Sequence, residues 1–286
     1  MAKPQAFLTA LLILQTALLT PQVHDAGSPV PEEPDALVID ASAGVLYWSD
    51  SVAGTISRLN LASGEAVILI RGLEVPLGLA LSPRRGLLYW SELGKQAIFQ
   101  ANVDGSGVVP LLEQVGVPAG IAINRREDRL YWADALGEIR YTGLDEPRVE
   151  TLVAEGVEMP RDVAVHPRTD RVFWTDTRRD LVGSIDPSGN GEVSFIRSDD
   201  LLSPISLTIC GEQDVIFVTD DGADAVFRLP LTGGDALVRY KPFHPTGITM
   251  DCASRTLYWS DIATSALYRG RLDQDATQRR LYPQQE

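Results

Sequence analysis

The sequence predicts an all-β, single-domain, six-bladed β-propeller of four-stranded antiparallel blades, and two recurring markers predict it. The first is an aromatic tetrapeptide: Tyr47-Trp48-Ser49-Asp50, Tyr89-Trp90-Ser91-Glu92, Tyr131-Trp132-Ala133-Asp134, Phe173-Trp174-Thr175-Asp176, Phe217-Val218-Thr219-Asp220 and Tyr258-Trp259-Ser260-Asp261. Its second positions step by 42, 42, 42, 44 and 41 residues. The second marker is a proline, two variable positions and an apolar triplet, opening at Pro34, Pro76, Pro118, Pro160, Pro204 and Pro245 with the same steps. Two markers holding one period through six copies define a repeat protein. A composition of 44% hydrophobic and 22% charged residues supplies an ordinary buried core.

In chain order, the start combines Lys3, an apolar run from Ala6 to Leu19 and a polar, proline-containing stretch from Thr20 to Pro34. That pattern predicts a signal peptide and leader over 1–26, followed by a linker over 27–33. The apolar run is shorter than the roughly 20 residues that cross a bilayer. A secreted or extracytoplasmic protein without membrane insertion is therefore expected. Each later period carries four short apolar stretches parted by turn residues, in the third copy 120–124, 129–134, 138–144 and 149–153. The first of them is apolar on both faces, as an innermost strand between neighbouring blades has to be. One such unit cannot bury both faces alone, so units stack radially, and the propeller is expected over 34–286. The first copy begins at its inner strand and the last ends near Tyr282, so the ring is expected to close by blade packing, without strands shared between the termini.

A net charge of −14 argues against nucleic acid or an anionic membrane as partner. The aromatic pair, one per blade, suits packing between adjacent sheets. The acid ending each tetrapeptide, Asp50, Glu92, Asp134, Asp176, Asp220 or Asp261, is read as an acceptor for turn N–H groups, with a cation-binding ring as the alternative. Cys210 and Cys252 fall at the same end of neighbouring inner strands, so a disulfide between them is open. His24 precedes the repeats, while His166 and His244 fall at opposite ends of inner strands, which disfavours a shared metal site. No nucleophile elbow, phosphate loop or zinc-spaced cluster emerges, and no cofactor or metal is expected.

On these residues the chain resembles the YWTD (class B) repeats of the low-density lipoprotein receptor family, over about residues 34 to 282. The fifth copy departs most, with Val218 for tryptophan and Ser206 where glycine is usual. The resemblance implies that partner-binding residues lie on the face made by the Pro-x-Gly ends of the inner strands. Flanking residues there read as a mostly apolar mouth, including Val75, Leu77, Val117, Met159, Ile205 and Phe243, interrupted by Asp35, Arg161-Asp162 and His244. The candidate binding residues are Asp35, Leu77, Met159, Arg161, Asp162, Phe243 and His244, with mutual or interblade pairing of Arg161 and Asp162 as the alternative. The opposite face is built from hairpins such as 82–86, 124–128 and 166–170, whose arginines are interleaved with acids and read as a solvated turn surface.

Two functions follow. One is a monomeric binding module for a protein, a peptide or a small apolar ligand. The other is a metal-independent propeller enzyme, a lyase, hydrolase or cyclisation catalyst, that positions an apolar substrate in the central pocket.

Overall fold

The computed structural model describes residues 29–124, 126–189, 191–212, 214–231, 237–273 and 278–283, so the leader expected over 1–26, His24 included, lies outside the described residues. Blade 1 consists of β1 (Pro34–Asp40), β2 (Val45–Asp50), β3 (Thr55–Asn60) and β4 (Ala66–Arg71). Blade 2 consists of β5 (Pro76–Ser82), β6 (Leu87–Glu92), β7 (Ala97–Asn102) and β8 (Val109–Leu112), and blade 3 of β9 (Pro118–Ile123), β10 (Arg129–Asp134), β11 (Glu138–Gly143) and β12 (Glu150–Val153). Blade 4 consists of β13 (Pro160–Val165), β14 (Val172–Asp176), β15 (Leu181–Ile185) and β16 (Ser194–Arg197). Blade 5 consists of β17 (Pro204–Cys210), β18 (Val215–Asp220), β19 (Ala225–Pro230) and β20 (Leu237–Tyr240), and blade 6 of β21 (Pro245–Asp251), β22 (Thr256–Asp261), β23 (Ala266–Arg271) and β24 (Gln278–Tyr282). Each blade is a separate antiparallel sheet in which strands pair in chain order. The fold is thus a six-bladed β-propeller. Each inner strand begins on the marker proline.

The two motif aromatics explain the ring. Adjacent residues of a strand point to opposite faces of its sheet, so one ring of each pair packs against the following blade and the other against the preceding one. Six apolar clusters result, one per seam. Tyr47 meets Trp90, Tyr89 meets Trp132, Tyr131 shares a cluster with Trp174, Phe217 with Trp259, and Tyr258 with Trp48. In the fifth copy Val218 takes the tryptophan place opposite Phe173, and its cross-strand partner Phe227 joins that cluster. Trp174 pairs instead with Gly183, where any Cβ would run into the indole. In blade 5 the valine's smaller bulk is thus supplemented by phenylalanine, whereas in blade 4 the indole lies over a glycine.

The motif acids are built into turns. Asp50 accepts N–H bonds from Glu32, Glu33 and Ala53, Asp176 from Glu158, Met159 and Arg179, and Asp220 from Leu202, Ser203 and Ala223. Glu92, Asp134 and Asp261 accept in the same way from Glu74, from Val117 and Leu136, and from Phe243 and Thr264. Each carboxylate therefore ties the linker into its blade to the hairpin leaving β2 or its equivalent, Glu92 reaching its hairpin through the Lys95 ammonium at 2.8 Å.

Ring closure follows the expectation. Blade 6 keeps its own four strands, and β21 packs beside β1. Thr246 Oγ1 donates to Pro34 O at 2.7 Å, Ser265 Oγ to Glu32 O at 3.1 Å and Tyr282 OH to Pro29 O at 2.5 Å. The disulfide left open by the sequence is not formed. Cys210, buried, and Cys252, half-buried, are free thiols that face each other across the seam between blades 5 and 6, and burial with the neighbouring thiol holds Cys252 protonated.

Candidate functional site

The proline has no N–H to give its partner strand, and inner-strand pairing slips between it and the apolar triplet in all six blades, as between Pro34 and Leu37. This bulge turns the two variable positions toward the axis. Two rings of six positions form the mouth. The outer carries Asp35, Leu77, Ala119, Arg161, Ile205 and Thr246, and the inner Ala36, Gly78, Gly120, Asp162, Ser206 and Gly247. All of these except Gly247 line one central cavity of about 50 Å³.

A polar relay fixes the mouth. The third residue of the tetrapeptide accepts an N–H from its own inner strand and donates to a carbonyl of the next blade. Ser49 Oγ takes Ala36 N–H at 3.1 Å and gives to Leu77 O at 2.6 Å; Ser91 Oγ takes Gly78 N–H at 2.8 Å and gives to Ala119 O at 2.6 Å. Thr175, Thr219 and Ser260 repeat it toward Ile205, Thr246 and Asp35. Only Ala133 in blade 3 lacks the hydroxyl, and the carbonyl it would have reached belongs to Arg161. The signal for this relay was present in the motif's third letter, hydroxylic in five copies of six.

Asp162 answers one of the open alternatives. Its carboxylate accepts from Ser206 Oγ at 2.5 Å and Leu207 N–H at 3.1 Å in blade 5, and from Val163 N–H at 2.8 Å. Gly120 permits this, because a Cβ there would overlap Asp162. Asp35 and Arg161 belong to blades 1 and 4, opposite each other across the ring, and they interact electrostatically. Burial raises Asp35 to about 7, opposed by hydrogen bonding from Ser51 and by Arg161. Burial likewise raises Asp162 to about 6, against the bonds from Ser206, Leu207 and Val163. The same burial lowers Arg161, and Asp35, Asp162 and Asp221 pull it back. Two carboxyls and one guanidinium thus share the mouth.

The other candidates stand further out on the same face. His244 pairs with Asp221 of blade 5, which raises its pKa. Phe243 is 73% exposed, and Met159 is partly buried on the rim. Asp35, Leu77, Arg161 and Asp162 therefore meet in the cavity, while Met159, Phe243 and His244 do not line it. The cavity is small, and its lining is mostly apolar with Asp35, Arg161 and Asp162 as the charged exceptions, as the flanking residues suggest.

No protein-family model and no curated protein matches the chain. Solved structures do. A crystal structure of a nidogen/laminin complex is 24% identical with a TM-score of 0.66, over 70% of this chain and 76% of that one. Virginiamycin B lyase from Staphylococcus aureus is 16% identical with a TM-score of 0.67, over 89% and 85%. A protein of unknown function from Bacteroides thetaiotaomicron is 12% identical with a TM-score of 0.72, over 86% and 71%. At these identities the likeness is one of fold: the chain shares its architecture with proteins whose names include both a protein complex and a lyase.

Proposed function

We propose that this chain is a secreted, monomeric binding module of the YWTD type that presents its Pro-x-Gly face to a protein or peptide. One observation carries the reading: the central cavity of about 50 Å³ is small while the rim around it is apolar and exposed. Small-molecule pockets run from roughly 300 Å³ upward, so the cavity leaves little room for a substrate. The rim, by contrast, offers Val52, Leu136, Leu202 and Phe243, which are 45%, 73%, 46% and 73% exposed on four different blades. Exposed apolar side chains around charged groups are the composition of a protein-docking patch. The likeness to a structure in a nidogen/laminin complex is compatible with this use of the fold, and the leader-like start supports work outside the cytoplasm.

The test is selection of peptides from a displayed random library on the immobilised protein, followed by rebinding to Phe243→Asp/Leu136→Asp. Enriched peptides that lose affinity at least about tenfold for the variant support the reading, since buried aromatic anchors dominate such interfaces. Peptides that bind the variant as well as the parent, or a library that never enriches, sink it.

A further inference from the structure

We propose that the opposite face of the ring holds a site for an acidic saccharide, organised by Arg84, Arg126 and Arg168 around Asp170. Each arginine stands eight positions after its marker proline, so successive members lie 42 residues apart on blades 2, 3 and 4. The same position holds Ser42, Glu212 and Ala253 in the other three blades. The cations are therefore gathered on one half of the face. There Arg84, Arg126, Arg168, Pro167 and Asp170 line a cavity of about 330 Å³, more than six times the volume at the other mouth and within the small-ligand range.

Of the acids nearby, one neutralises a member of this cluster, Arg168, and the others are engaged elsewhere, which leaves Arg84 and Arg126 without a carboxylate partner among the ion pairs of the described residues. Glu127 accepts the Ser82 hydroxyl, Asp145 pairs with Arg85 at 2.9 Å, and Asp214 pairs with Arg168 at 2.5 Å. The hairpins are held in place. Arg84 Nη1 donates to Arg126 O at 3.1 Å, which uses one of its five donors. The buried His166 Nδ1 accepts N–H bonds from Arg168 at 3.3 Å and Thr169 at 3.2 Å, which shapes the third turn.

The lining makes two different demands. Guanidinium forks match the oxygens of a carboxylate or sulfate. Asp170 lines the same cavity, and its carboxylate, which only accepts when ionised, calls for a donor from the ligand. A bare oxyanion would satisfy the arginines and be repelled by Asp170. A sugar bearing an acidic group satisfies both, its anion on the arginines and a hydroxyl on Asp170. Because the protein's net charge is −14 and screening acts within about 8 Å at physiological salt, such a ligand is attracted only locally.

The experiment is calorimetric titration of the full chain with a heparin-derived tetrasaccharide, a neutral tetrasaccharide and inorganic sulfate. Expected is saturable binding of the sulfated saccharide alone, weakened at least about tenfold in Arg84→Glu/Arg126→Glu and unchanged in Arg58→Glu/Arg148→Glu, an equal charge change elsewhere. Arg84→Lys/Arg126→Lys keeps the charge and guards against misfolding; it is expected to bind several-fold more weakly than the parent because the forks are lost. Asp170→Ala is expected to weaken the saccharide and strengthen sulfate. Equal loss in both glutamate pairs, equal binding of the neutral sugar, or sulfate binding as tightly as the saccharide would each overturn the assignment.

Discussion

Two neighbouring seams are held together differently. Between blades 3 and 4 the aromatic pair is complete, Tyr131 with Trp174, but the hydroxyl relay is missing at Ala133. Between blades 4 and 5 the tryptophan is replaced by Val218, yet hydrogen bonds accumulate: Thr175 Oγ1 to Ile205 O, Thr177 Oγ1 to Pro204 O, and Ser206 Oγ and Leu207 N–H to Asp162. The seam with more aromatic packing has fewer polar links and the other has more. A repeat protein can thus trade one kind of cohesion for another from seam to seam.

Substitutions that exchange these contributions test the trade. Trp174→Ala removes a fully buried indole from the seam that relies on apolar packing, and is expected to cost about 3–5 kcal/mol in urea unfolding. Asp162→Ala strands two buried donors of blade 5 and is expected to cost about 3 kcal/mol, with Asp162→Asn milder. A smaller loss for the indole than for the carboxylate would break the comparison. Ala133→Ser restores the missing hydroxyl between Gly120 N–H and Arg161 O and is expected to stabilise by about 1 kcal/mol; destabilisation would show that the seam has no space for it. The smallest effect is on pH dependence. A carboxyl raised to about 7 on folding from an unfolded value near 4 binds more protons when folded, so its contribution to stability falls as pH rises through that window. Melting temperature plotted between pH 4 and 8 is expected to fall less steeply for Asp35→Asn than for the parent, and identical slopes would contradict the burial of Asp35.

The strands were legible because the repeat is periodic: all six marker prolines open inner strands, and register alone placed the fifth blade despite Val218. The acids' part in turns was also readable, since one residue serving every blade points to a duty every blade has. The relay was visible only as a preference in one letter, and its meaning needs the next blade's carbonyl. Cavity sizes were not readable, because they depend on how far the Arg161 and Asp35 side chains extend across an axis that no linear spacing describes. The arginine half-ring failed for a related reason. Read linearly, each arginine has charged neighbours beside it; in the fold Glu127 is turned to Ser82, Asp170 joins the lining, and the three arginines face one cavity.

Closure by blade packing also gives the ring a mechanical weak point. Five seams are spanned by a continuous peptide that carries the chain from one blade into the next, whereas the join of blade 6 to blade 1 relies on apolar contact and on hydroxyls such as Thr246 and Tyr282. Pulled from its two ends, the propeller would yield there first, opening into a crescent of intact blades before any sheet unzips.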